Sequence, residues 1–253
     1  MPKKETVLFL EKITSLAKPL EHRTAFEYNI REICDYLESL PVKTRVAIFT
    51  DKYWNRYPKF VWYIRKKHSF DNLKSHAKAL REVTECLDMN KDKYPKTYNS
   101  VVKHSCGIIL NYAIEYFSGS IKRSLINRGL ESDDVRVVKV SAKYADINKL
   151  PKLINHKDYG VRTIVSNRIS PVARPDLFLK SQSHWTRILA INSADLDKQN
   201  VISMIDSRSS NIDWIASKEI QALLNKLSNN DILYFINLTK NLDISKYFRQ
   251  RIS

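Results

Sequence analysis

Residues 135–141 read VRVVKVS, 161–167 read VRTIVSN, 186–192 read TRILAIN and 212–218 read IDWIASK. Their openings lie 26, 25 and 26 residues apart. A second apolar column stands 18 residues into each of the first three stretches, at Leu153, Leu179 and Met204. Polar turns separate the units: NHKD (155–158), SQSH (181–184) and DSRSSN (206–211). Self-similarity at a short fixed period is the mark of a repeat architecture. One such unit is too small to bury its own apolar face, so neighbours must stack to share a core.

The pattern resembles the leucine-rich-repeat variant and HEAT-like α-solenoids over about residues 133–230. The similarity rests on the Val-Arg opening and on a small residue four or five positions later (Ser166, Ala190, Ala216). Proline in or before the second segment (Leu150-Pro151, Pro175) adds to it. Asp213 replaces the Arg of the other units, as expected of an atypical terminal repeat. The resemblance implies an all-α fold and a short-repeat solenoid over 131–253. It implies little about function, because one fold hosts many.

Helical periodicity also runs through the first half, a basic, aromatic-rich region over 1–130. Val7, Leu8, Leu10, Ile13 and Leu16 form a stripe in 4–18; Phe26, Ile30, Ile33, Tyr36 and Leu37 form one in 20–40. Pro19, Pro41 and Pro58 punctuate the run, since proline removes a donor and clashes inside a helix. Helices are predicted over 41–57, from Pro58 onward, and over 71–89 with Leu73, Ala77, Leu80, Val83 and Leu87 inward. Residues 90–100 read as a loop, and 100–126 as one long helix or two broken at Gly119.

Only 4 of 253 residues are Gly, against an average near 7%. That favours helices joined by short turns, and neither glycine-rich nucleotide fingerprint occurs. Cys34, Cys86 and Cys106 are an odd set, consistent with free thiols in a reducing compartment. No apolar run approaches the roughly 18 residues of a spanning helix. The expected location is the cytoplasm or nucleus, without secretion or a membrane partner. Abundant Lys, Asn, Ile, Tyr and Ser is how chains from AT-rich genomes read, phages among them.

Lys and Arg number 43 against 27 Asp and Glu, a net charge of +16. Such an excess repels itself and points to an anionic partner. The densest patch is DKYWNRYPKFVWYIRKKHSF (51–70), with seven aromatic rings, six Lys or Arg and one acid. Rings can stack on bases while cations neutralise phosphates. Candidate nucleic-acid contacts are Lys52, Tyr53, Trp54, Arg56, Lys59, Trp62, Arg65, Lys66 and Lys67, with Phe60, Val61 and Ile64 turned inward. A bland reading competes: aromatics inward, and lysines outward where the helix dipole favours them.

Arg136, Arg162 and Arg187 share one column of the repeat. Stacking would space them about 10 Å apart, able to track a phosphate backbone. The competing reading pairs each with an acid or carbonyl of a neighbouring unit, with Asp158, Asp195 and Asp206 to hand. No helix-turn-helix, zinc-finger or RNP signature is present, so backbone and shape recognition of DNA or RNA is expected.

Signs of catalysis are weak. PDLFLK (175–180) echoes a nuclease pattern, but Phe178 stands where the metal-binding carboxylate belongs. No His or Cys pair has zinc-ligand spacing, and no GxSxG elbow occurs. No metal or cofactor is expected. HEAT-like solenoids include DNA glycosylases, which this chain resembles in size, charge and helical repeats. On that analogy Asp213 would be the catalytic carboxylate, beside Trp214 and Trp185. The sequence thus supports a non-catalytic nucleic-acid-binding protein first. A module that holds or inhibits an acidic protein partner comes second, and a glycosylase third.

Overall fold

Thr6, Phe9, Leu10 and Ile13 follow one another at steps of three, one and three, and all four are buried. That spacing wraps an apolar stripe along one side of a helix. The computed structural model describes residues 3–16, 23–56, 73–206 and 214–238, together with Arg249. Among them the secondary structure is helical throughout, with no strand. The chain divides into two compact units, Met1–Ala145 and Asp146–Ser253.

In the first unit, α1 (Lys4–Leu16) packs on α2 (Arg23–Ser39) and α3 (Val42–Phe49). Leu8, expected in the stripe of α1, is 47% exposed; Phe9 takes the inward place. Pro41 precedes α3, and its carbonyl accepts the first two helical bonds, from Thr44 and Arg45 N–H. The predicted helix 41–57 is therefore shorter: α3 ends at Phe49 and a 3₁₀ turn, Lys52–Arg56, follows. The helix expected from Pro58 onward lies outside the described residues. Next come α4 (Leu73–Met89), α5 (Pro95–His104), α6 (Gly107–Tyr116), α7 (Gly119–Leu130) and α8 (Val135–Tyr144).

The segment 90–100, expected as a loop, instead enters α5 at Pro95. Proline is suited to a first helical turn, where its missing N–H costs nothing. The stretch 100–126 breaks at Gly119 as expected and breaks again before Gly107. Gly107 has φ +50°, and a Cβ there would lie 2.3 Å from the Trp54 carbonyl carbon. The N-terminus of α6 thus rests directly on the backbone of the 3₁₀ turn. Gly129 serves closeness of another kind: a Cβ would meet Ser141 Oγ at 2.0 Å, where α7 packs on α8.

The second unit opens with two 3₁₀ turns, Ile147–Lys149 and Pro151–Leu153. It continues through α9 (Tyr159–Ile169), α10 (Pro175–Phe178), α11 (His184–Ser193), α12 (Lys198–Asp206), α13 (Trp214–Leu224) and α14 (Asn229–Leu238). Long helices alternate with short second segments up to α11. The helix α11 packs on α13, and Ile191, Val201, Ile205, Ile220, Leu223 and Ile232 make the core. No helix of the described residues is long and apolar enough to cross a membrane.

Helix ends leave carbonyls and N–H groups unpaired, and these need partners. Glycine in the left-handed region commonly supplies that closure, but this chain has few glycines. Cationic side chains from elsewhere take the place. Buried Arg45 donates from Nη1 to the carbonyls of Glu38 (3.0 Å) and Leu40, closing α2. Arg128 donates to Val102 and Ser105 O at the end of α5. Lys122 reaches Glu115 O (3.3 Å) in the last turn of α6. Lys226 bonds Asn192 O (2.9 Å) and Ala194 O (3.0 Å) at the end of α11.

Carboxylates close the opposite ends. Glu38, on α2, accepts from the N–H groups of Lys96 (3.1 Å) and Thr97 (2.8 Å) and from Thr97 Oγ1 (2.7 Å). It caps α5 from a distant part of the chain. Desolvation pushes this carboxyl up, but the Thr97 and Lys96 hydrogen bonds and the Arg45 charge outweigh it, so its pKa lies below the ordinary value.

The caps set measurable stabilities. Arg45→Met strips the donor from the end of α2 and should cost about 2–4 kcal/mol in urea unfolding; Arg45→Lys should recover only part. Glu38→Gln should cost about 1–2 kcal/mol near neutral pH. A lowered carboxyl pKa stabilises fully above its unfolded value, about 4.3, and that gain is lost as pH falls through the lower folded value. Unfolding curves of wild type and Glu38→Gln across pH 2–7, a range of roughly this width, should therefore converge at the acid end.

Candidate nucleic-acid interface

The 3₁₀ turn Lys52–Arg56 carries the described part of the basic-aromatic stretch. Lys52 is exposed. Tyr53 and Arg56 belong to the turn by their backbone; their side chains lie outside the described residues. So do Lys59, Trp62, Arg65, Lys66 and Lys67, with the inward trio Phe60, Val61 and Ile64. Asp213, the glycosylase-like carboxylate, also falls outside.

Trp54 corrects the sequence expectation. It is fully buried. Its ring packs edge-on to Phe9, with centroids 6.4 Å apart, and its Nε1–H donates to Ile48 O at 2.7 Å. Burying an indole is worth roughly 4–6 kcal/mol, and its one polar atom is satisfied inside. The ring therefore belongs to the core, and no base can reach it.

The arginine column is likewise occupied by the chain itself. Arg136 grips Asp134, the residue that caps α8, through Nε (3.0 Å) and Nη2 (2.7 Å). The same Nη2 donates to the carbonyls of Trp54 and Asn55, each at 3.1 Å. The two candidate elements thus meet, and they meet structurally: Arg136 closes the end of the 3₁₀ turn. Arg162 donates to His156 O (2.7 Å) and Lys157 O (3.0 Å), the loop that leads into its own helix. Arg187 forms a two-point pair with Glu219 on α13, at 2.6 and 2.9 Å, and also donates to Ser181 O. The competing expectation of acid or carbonyl partners in a neighbouring unit is met in part: the acids are Asp134 for Arg136 and Glu219 for Arg187, not Asp158, Asp195 or Asp206, and Asp134 and the His156 and Lys157 carbonyls lie beside their arginines in the chain. In each case the guanidinium is spent on acceptors of the chain itself.

The N-termini of several helices hold their own acceptors. Asp134 accepts from Arg136 N–H (3.0 Å), Asp158 from Val161 N–H (3.1 Å) and Asp197 from Asn200 N–H (2.7 Å). A phosphate finds no open helix end at these three places.

Two rings in the second unit are open to solvent and lie beside cations. Tyr159 is 70% exposed and Trp185 is 50% exposed. Each stands in the first turn of a helix, α9 and α11, shortly ahead of Arg162 and Arg187 in the chain. Arg162 lies 5.8 Å from the Tyr159 centroid and Lys218 lies 5.3 Å from that of Trp185. Lys157 and Lys180 are both exposed in the loops before these helices. The signal is present in the sequence: both aromatics sit just ahead of the residue-Arg opening, in DYGVR and HWTR. The apolar column read from the sequence at Leu153, Leu179 and Met204 runs elsewhere, so periodicity alone does not single these rings out.

Among the described residues, no cluster of three or more His, Cys, Asp and Glu could hold a metal ion. No family model, curated protein or solved structure matches the chain.

The Arg187–Glu219 pair gives a direct test of the structural role. Glu219 is only 2% exposed, and removing one member of a buried pair leaves a charge without its partner. Glu219→Ala and Arg187→Ala should each cost about 3–5 kcal/mol in chemical unfolding. The double variant should cost well under their sum, because the two act as one unit.

Proposed function

We propose that this chain binds nucleic acid without catalysing a reaction on it, through phosphate contacts by lysines and base stacking on exposed rings. The observation that carries this reading is the repeated pairing of an exposed ring with a cation, at Tyr159 with Arg162 and at Trp185 with Lys218. An aromatic face beside a positive charge is the working unit of sequence-tolerant single-strand binding. The net charge of +16 supports it: arginines spent on carbonyls still carry their charge, because carbonyls are neutral. In this reading Lys52 and the basic residues Lys59, Arg65, Lys66 and Lys67 add phosphate contacts. The openings at 135, 161, 186 and 212 then mark successive short-repeat, HEAT-like units. The alternation of long and short helical segments and the packing of α11 on α13 favour that organisation.

The test is binding of labelled single-stranded DNA, duplex DNA and RNA by fluorescence anisotropy over a salt series. Wild type should bind single strands with a steep salt dependence. Tyr159→Ala/Trp185→Ala should weaken binding by roughly 1–3 kcal/mol per ring with little change in salt slope. Lys59→Ala/Arg65→Ala/Lys66→Ala should flatten the slope by about 0.7–0.9 for each phosphate that the variant no longer neutralises. Absence of binding to all three probes near 0.15 M salt, about physiological ionic strength, would sink the nucleic-acid reading and leave an acidic protein as the partner to seek.

A further inference from the structure

Tyr144 ends α8 and is 46% exposed. Lys122, in the first turn of α7, places its Nζ 4.4 Å from the centre of that ring. The lysine is held where it stands, because the same Nζ donates to Glu115 O at 3.3 Å. The two helices that carry ring and cation are packed closely: Gly129 on α7 lies so near Ser141 on α8 that a Cβ would meet its Oγ at 2.0 Å. Lys143, next to the ring in the chain, and Arg123, next to Lys122, are both exposed.

Other cations lie over rings in the first unit, in different surroundings. Lys93 stands 4.9 Å from the centre of the Tyr94 ring, but Tyr94 is buried. Arg81 stands 5.1 Å from the centre of the Tyr116 ring, but Tyr116 is half-buried and feels the charges of Glu82, Glu85 and Glu115. A base cannot reach the first ring, and a phosphate is repelled at the second. Tyr144 joins three features: an open ring, a cation fixed beside it and a further exposed cation at the next residue.

We propose that the end of α8 is a second single-strand site, carried by the first unit through residues outside 51–70: one base stacks on Tyr144 while Lys122 and Lys143 neutralise the flanking phosphates. The proposal deepens the nucleic-acid reading above and rests on it. An ammonium has three donors; Glu115 O takes one from Lys122, and a phosphate oxygen can take another. Stacking uses the face of the ring and not its hydroxyl, so it tolerates any base. Inside a duplex each base already stacks on its neighbours, so the site selects single strands.

The test uses the full chain with labelled single-stranded DNA and RNA of one sequence. Complexes are irradiated, digested and read by mass spectrometry, and affinities are taken by anisotropy over a salt series. A nucleotide adduct is expected on the peptide that carries Tyr144. Tyr144→Ala should weaken binding roughly 5- to 150-fold, the cost of one lost stacked base, and Tyr144→Phe should bind like wild type. Lys143→Ala should lower the salt slope by about 0.7. Circular dichroism confirms that each variant is folded, and the adduct on wild type depends on no variant. The site is overturned if no adduct falls on the Tyr144 peptide, or if Tyr144→Ala binds like wild type. Where Tyr159→Ala/Trp185→Ala is weakened in the same assay, the nucleic-acid reading then stands without this site. Equal losses in Tyr144→Phe and Tyr144→Ala would overturn the stacking role. Wild type that binds neither strand removes both the site and the reading it rests on.

Discussion

Positive side chains set against the carbonyl ends of helices hold this protein in its form. A helix end carries about half a negative charge on unpaired carbonyls, and those carbonyls need donors whether or not the sequence supplies glycine. Here Arg45, Arg128, Arg136 and Lys226 reach from other elements to do it. The bonds therefore close helices and join them at once. Glu38 is the complement, an acid set on the N-terminus of α5. Arg45 and Glu38 meet at one corner, where α2 ends, so two helix ends of opposite polarity are settled within a few residues.

The residues that reveal the fold and those that mislead about function are often the same. Ile13, Ile33, Leu37, Leu80, Val83 and Leu87 are inward as their spacing implies, because apolar periodicity reports directly on burial. Segment 90–100 has the polar composition of a loop, yet its helix is held by a proline at one end and a distant carboxylate. Trp54 departs from its sequence reading for a related reason. A tryptophan between Lys52 and Arg56 reads as a surface ring, and nothing local discloses that Phe9 and the Ile48 carbonyl await it. The arginine column shows the limit most plainly. Its regularity is legible, but the identity of its partners, from Asp134 to Glu219, depends on tertiary neighbours that no spacing reveals.

The exposed rings change the balance between the two halves as candidates. By density of charge, 51–70 is the stronger of the two. Its first five residues after Asp51 prove to be a structural joint, clamped by Arg136 and by the close approach of Gly107. In the C-terminal unit the aromatic groups are fewer, yet Tyr159 and Trp185 are largely open to solvent. Accessibility matters more than abundance here, because a ring that stacks on a base must be reachable from solvent.

The cap that Glu38 provides to α5 also bears on how the chain reaches its native state. Lys96 and Thr97 lie 58 and 59 residues from their carboxylate, and Tyr94 supplies no side-chain cap of its own. A ten-residue helix is marginal in isolation, since nucleation is costly and few bonds follow. In α5 the stabilising carboxylate arrives only after α2 has formed and the intervening chain has folded back. Loop closure must precede the reward. The cap on α5 is thus a contact of long sequence separation, and the helix gains it only together with the loop that brings α2 beside it.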